Sequence, residues 1–121
     1  MNNIILLLTL LQIKHWIVDF ANQSEEEMAC KGIYGHCLGI NHSLKHGIGT
    51  FVCLLPFTGF NNIAYTTVLA FLDFTIHYHV DYIKIHYGNN DIDNRKFWYY
   101  LGLGQLLHQL TYLTIIYLMV N

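Results

Sequence analysis

Residues 63–87 read IAYTTVLAFLDFTIHYHVDYIKIHY. Inside this apolar run, Asp73, His77, Asp81 and Lys84 are spaced by four, four and three residues, which lays them along one stripe of a helix. An apolar helix carrying ionisable groups in its middle must bury them against other helices or water, because lipid penalises each by roughly several kcal/mol.

The same arrangement recurs along the chain. The run 4–20 places Gln12, His15 and Asp19, with Gln23 just beyond, on one stripe. The run 97–120 does so with Gln105, His108, Gln109 and Tyr112. A shorter run, 44–57, carries His46, Gly49 and Cys53, with His42 just before it, and contains Pro56 near its end. These stretches predict an all-α fold: a four-helix transmembrane bundle with a buried His/Asp polar layer, forming one membrane domain over 1–121. Helices are expected at roughly 4–20, 44–57, 63–87 and 97–120. The second is short enough to be re-entrant instead of spanning. A polar loop is expected over 22–42, a tight turn at 58–62, and an Asn/Asp-rich loop at 88–95.

Composition supports this class. Charged residues make up 12% of the chain and hydrophobic ones 54%, against about 25% charged in a typical soluble domain. The net charge is −2 and the basic residues are scattered, so no nucleic-acid footprint is expected. Three cysteines argue against a disulfide framework. The N-terminal run lacks a basic n-region and a small-residue cleavage site, and reads as a retained first helix, not a signal peptide. Lys31, Lys45, Lys84, Arg95 and Lys96 fall in or beside the two loops on one side of the bundle. The positive-inside rule makes that side cytoplasmic in an inner membrane, with both termini outside. Trp16, Trp98, Tyr99 and Tyr100 fall near that interface. Lys14, inside the first helix, must snorkel or pair.

At about 1.5 Å per residue, the stripes bring His15, Asp19, His46, His77, Asp81 and His108 to one depth in the inner half of the bilayer. Imidazoles and carboxylates together suit a divalent metal, with zinc, iron and manganese all candidates. A set of three or four ligands with an open position activates water. His–carboxylate pairs also relay protons or ions, and the plainest alternative is a layer of hydrogen bonds that fixes helix packing. Other features read as minor. Glu25, Glu26 and Glu27 read as a solvated loop edge. Cys30, His36, Cys37 and His42 match no common zinc module in spacing. His79 and His86 lie off the stripe, His79 by about 200° from His77.

Several ordered segments carry a resemblance. His15-Trp-Ile-Val-Asp19-Phe20-Ala-Asn-Gln23 resembles an H-x3-D-F-x2-Q signature, followed by Met28-Ala29-Cys30-Lys31 and His46-Gly47. His77-Tyr-His-Val-Asp81-Tyr-Ile-Lys84 is similar to an H-x3-D-x2-K segment, and Gln105-Leu-Leu-His108 to a D-Q-x2-H segment with Gly104 in place of the aspartate. Together they resemble an uncharacterised bacterial and phage membrane family, the domain of unknown function 3307. The resemblance implies a small multi-span membrane protein and no known activity. A likeness to membrane-bound metal-dependent hydrolases is analogy alone.

The leading functional expectation is an intramembrane divalent-metal site with His15, Asp19, His46, His77, Asp81 and His108 as metal ligands. Asp19 or Asp81 is the expected catalytic base, and Gln23, Lys84 and Gln105 orient the ligands. If catalytic, the site hydrolyses a lipid-like substrate entering from the inner leaflet. The alternative is a non-enzymatic phage or bacterial membrane factor: envelope-modifying, an ion or proton conduit, or a structural bundle. The expected partner is the lipid bilayer, and a homo-oligomer is compatible with the sequence.

Overall fold

The computed structural model of the chain describes residues 2–121. Helix α1 spans Asn2–Trp16 and continues as a π-helical turn, Ile17–Ala21. A short helix α2, Glu25–Cys30, leads to α3, Cys37–Thr58. A 3-10 turn, Phe60–Asn62, precedes α4, Ile63–Tyr87, and α5 covers Arg95–Val120. The described residues are helix and loop throughout.

Helix α4 occupies the residues its apolar run predicts. Gly59 turns the chain ahead of it with a φ of 77°, a conformation glycine adopts without steric cost. Helix α3 differs from expectation at both ends. It begins at Cys37, because the His36 side chain accepts from the Leu38 amide and caps the helix. Polar residues 41–43 resemble loop, yet His42 and Ser43 are buried and bonded within the bundle. Helix α3 also runs past Pro56 to Thr58, closing with Gly59 N–H on the Leu55 carbonyl. At 22 residues it is not the short segment its sequence suggests.

The expected loop edge at Glu25–Glu27 is a helix start. Ser24 Oγ accepts from Glu27 N–H, and the Glu27 carboxylate accepts from Ser24 N–H, forming a capping box. Glu27 is buried and receives Lys45 Nζ at 2.6 Å from α3. This ties the α2 segment to the base of the bundle.

Helices α1, α3, α4 and α5 form a ring in which α3 packs on α1 and α4, and α5 packs on α4 and α1. Gly47 lets α3 approach α4 closely: a Cβ there would lie 3.0 Å from Phe74 Cβ and 3.3 Å from the Ala70 carbonyl. The interior has two halves. Leu7, Leu11, Leu54, Leu69, Tyr112, Ile115 and Ile116 pack into an apolar cluster toward one end. Below it the interior is polar. Among the described residues, nine apolar ones are buried against fifteen polar or charged ones, while large apolar side chains such as Ile5, Ile48, Val52, Val68, Phe71 and Leu106 face outward. This reverses the burial preference of soluble domains. Two stretches, Asn3–Ala21 and Arg95–Val120, are long and apolar enough to cross a membrane. Helices α3 and α4 are of comparable length, but polar residues turned inward dilute their apolar runs.

Lys14 pairs instead of snorkelling. Its ammonium lies 2.9 Å from Asp73, and both side chains are at most 7% exposed. Thr50 donates to the same Asp73 oxygen at 2.5 Å. The lysine stem crosses α3 at Gly49, where a Cβ would fall 2.7 Å from Lys14 Cγ.

Two predictions follow from this packing. Gly49→Ala places a methyl on a stem already pinned by Asp73, and should cost about 1–3 kcal/mol, read as a lowered thermal midpoint in detergent. An unchanged midpoint would show that the stem is free to move. Burial raises the Glu27 carboxyl, but the hydrogen bonds from Lys45 and Ser24 outweigh it, so Glu27 titrates below the usual carboxylate range. Its contribution is therefore complete above that range and is lost as pH falls through the depressed value. Amide protection factors over residues 24–45, taken relative to the intrinsic exchange rate at each pH, should fall at acid pH in the natural protein and lose this pH dependence in Glu27→Gln.

Candidate metal centre

The polar half of the bundle is organised by two carboxylates. Asp19 sits in the π turn after α1, whose wide hydrogen bond runs from Asn22 N–H to the Ile17 carbonyl at 2.7 Å. Such turns are inserted into helices most often at functional sites. Here the turn re-aims a single residue, placing Asp19 opposite α3 and α4. His42 and His46, one helical turn apart on α3, each bring Nε2 to 2.9 Å from Asp19 Oδ1. His77 Nε2 lies 3.5 Å from the same oxygen.

Asp81 holds the other side. His77 Nε2 is 3.4 Å from Asp81 Oδ2 and His108 Nε2 is 3.4 Å from Oδ1. Lys84 donates to Oδ1 at 2.9 Å. Lys31, from the end of α2, comes within 2.7 Å of Oδ2 but off the direction of a hydrogen bond. His77 lies between the two carboxylates. Its ring stacks on His46 at 3.5 Å between centroids and on His108 at 4.0 Å.

Two groups of ligand atoms result, each within 4.8 Å of one another: Asp19, His42, His46 and His77 in one, and His77, Asp81 and His108 in the other. All six residues are buried. Both ring nitrogens of His77, and Nδ1 of His42, have no hydrogen-bond partner among the described residues. A buried polar atom without a partner costs about 1–3 kcal/mol. A cation between these Nε2 atoms and the carboxylates would engage His77 Nε2 and neutralise the two acids. The donor set of imidazole and carboxylate fits zinc, iron or manganese.

Of the expected ligands, Asp19, His46, His77, Asp81 and His108 converge, and His15 takes a different role. Lys14 only donates, and its Nζ lies 3.0 Å from Tyr112 Oη. Tyr112 Oη lies 2.8 Å from His15 Nδ1. With Tyr112 accepting from Lys14, its own hydrogen goes to His15 Nδ1. His15 Nε2 therefore carries a hydrogen, facing Gln105 Oε1 at 2.7 Å and Asp19 Oδ2 at 3.2 Å. Nε2 of His42 and of His46, each 2.9 Å from Asp19 Oδ1, carry hydrogen in this arrangement by the same reasoning, and what sets His15 apart is its absence from both groups of convergent atoms. His15 is thus a donor that holds Asp19 in place, outside both ligand groups.

Of the residues expected to orient the ligands, Lys84 contacts a member of the cluster directly, and the other two reach it through one further residue. Gln105 bonds His15, Lys84 bonds Asp81, and Gln23 bonds Lys31. Gly104, where the resemblance expects aspartate, is instead covered by the Lys84 stem, 3.0 Å from where a Cβ would stand. The sequence reading missed His42 as a member of the cluster and Lys31 as a partner of Asp81. The spacing of His42 four residues before His46 was the available signal. The grouping of Cys30, His36, Cys37 and His42 into a loop site does not occur, since His36 caps α3 and His42 turns into the bundle. His79 and His86 bond Thr75 and Gly32 at the surface, away from the cluster.

Nitrogen-15 NMR of the imidazoles should show His15 as the Nε2–H form. Tyr112→Phe removes the hydroxyl between Lys14 and His15 and should cost about 1–3 kcal/mol. A His15 found as Nδ1–H would reverse the chain of donors.

No curated protein and no solved structure matches this chain. A family model described as protein of unknown function (DUF3307) matches residues 7–121, with the π-turn aspartate and all the clustered histidines inside the matched span. The chain belongs to that family.

Proposed function

We propose that this protein is a small four-helix membrane bundle built around a divalent-metal centre, which acts as a metal-dependent hydrolase on a lipid-like substrate. The observation that carries the reading is the convergence of Asp19, His42, His46 and His77 within 4.8 Å, all buried, with His77 unbonded at both nitrogens. The membrane setting is supported by the inverted burial pattern and by two helices of spanning length and composition. In the proposed topology, α1, α3, α4 and α5 all cross, and the basic loops lie on the cytoplasmic side.

A bound Zn-like cation supplies a Lewis acid that lowers the pKa of water toward neutrality. The protein's own groups do the rest. Three imidazoles and Asp19 would hold the cation, while His15 and Gln105 fix the orientation of Asp19. Asp81, placed beside His77 and His108, is the group positioned to accept a proton. Lys31 and Lys84 hold its charge in place.

One observation favours a second reading, a structural polar layer. The Nε2 atoms of His42 and His46 already bond Asp19 at 2.9 Å, so this part of the network is satisfied by protein alone. A through-conduit is disfavoured, because Leu7, Leu11, Leu54, Leu69 and Ile115 fill the other half of the interior.

Elemental mass spectrometry of the detergent-purified protein separates the two readings. The metal centre predicts near-stoichiometric divalent metal in the natural protein, its loss in Asp19→Asn and in His46→Ala/His77→Ala, and retention in the surface control His79→Ala. Absence of metal from the natural protein, with variants merely less stable, would leave the structural layer.

A further inference from the structure

Below the histidine layer, a cavity of about 320 Å³ opens between the π turn, α2, the end of α4 and the start of α5. Its inner wall includes Asp19, Lys31, Lys84, Gln23 and Gln105. Its other wall is apolar, formed by Phe20, Met28, Ile85, Phe97 and Leu101. The two walls have different chemistry, and the polar one touches the candidate metal centre through Asp19.

Two ammonium groups on the polar wall share one carboxylate. Lys31 and Lys84 both lean on a single carboxylate, Asp81, at 2.7 and 2.9 Å. Their side chains are only 5% and 14% exposed, so water screens them poorly. Asp19 is already engaged by His15, His42 and His46. Each ammonium carries three N–H donors, and only one from each is in a hydrogen bond among the described residues, Lys84 to Asp81 and Lys31 to Gln23, so both have donors to spare at the mouth of the site. A phosphate offers several oxygens, enough to meet two ammonium groups on separate elements at once. Phe20 and Trp98 are more than half exposed on the outer surface, and Phe20 also lines the cavity, so the apolar wall continues to the bundle's flank. The volume suits a headgroup with the first part of a chain.

From this geometry we infer that the cavity binds an amphiphile with a phosphate-ester headgroup, the phosphate between Lys31 and Lys84 and the chain along Phe20, Ile85, Phe97 and Leu101. As a substrate assignment this rests on the metal-centre reading; as a binding site it does not.

The test is calorimetric titration of the protein in maltoside detergent micelles, which contain no phosphate ester, after chelator treatment, so that metal loading plays no part. The probes are dioctanoyl phosphatidic acid, dioctanoylglycerol and inorganic phosphate. The expected result is saturable binding of the phosphatidic acid, with the glyceride and free phosphate each at least about tenfold weaker. Lys84→Gln should weaken it about tenfold through loss of one charge-assisted contact, and Leu101→Trp should weaken it by filling the chain path. Lys96→Gln, at an exposed lysine outside the cavity, should change nothing. Equal binding of free phosphate would overturn the amphiphile in favour of a small-anion site. Equal weakening by Lys96→Gln would reduce the effect to surface charge and overturn the site. Binding that survives in a protein found to hold no metal would uphold this inference while the metal centre fails.

Discussion

The structure depends on the cost of carrying charge inside an apolar bundle. Asp19, Asp73 and Asp81 are all nearly inaccessible, and an unpaired carboxylate there is untenable. Each is met by hydrogen-bonding or charged partners from at least one other element. Asp73 takes Lys14 from α1 and Thr50 from α3. Asp19 takes imidazoles from α3, with His15 from its own helix. Asp81 takes Lys31 from the α2 end, Lys84 from its own helix and His108 from α5. Satisfying three acids in this way fixes the rotation and depth of every long helix. In a bilayer, where apolar side chains gain little by leaving lipid for the interior, such contacts and close packing at small residues carry the specificity.

The three acids form a graded column. Asp73 lies beside the apolar cluster, and its Oδ2 accepts from both Lys14 and Thr50. Asp19 and Asp81 lie lower, surrounded by imidazoles whose nitrogens are partly unbonded. Tyr112 and His15 connect the levels, passing a fixed donor direction from Lys14 to Asp19. The column ends at the two lysines and the cavity. An apolar upper half and an unsaturated lower half open to one side suit a closed site approached from one face.

Local devices make this column possible. The π turn that closes α1 carries Asp19, four residues after His15 and on the same inward face. Gly49 and Gly104 clear the stems of Lys14 and Lys84. The Ser24 capping box and the Glu27–Lys45 pair anchor α2 so that Lys31 reaches Asp81.

The sequence by itself determined the helical class, the boundaries of α4, the four polar stripes and most of the clustered residues. Periodicity suffices there, since residues three and four apart share a face whatever the helix packs against. Only the tertiary structure decided that α3 starts at Cys37, that His42 joins the cluster, that His15 lies outside both groups of convergent atoms, and that Lys31 serves Asp81. Those assignments turn on partners distant in sequence: His42 reads as loop until Asp19 is opposite it, and the tautomer of His15 is set through Tyr112 by a lysine on its own helix. Spacing along a chain records which residues share a face. Which atom donates to which is decided only when the faces meet.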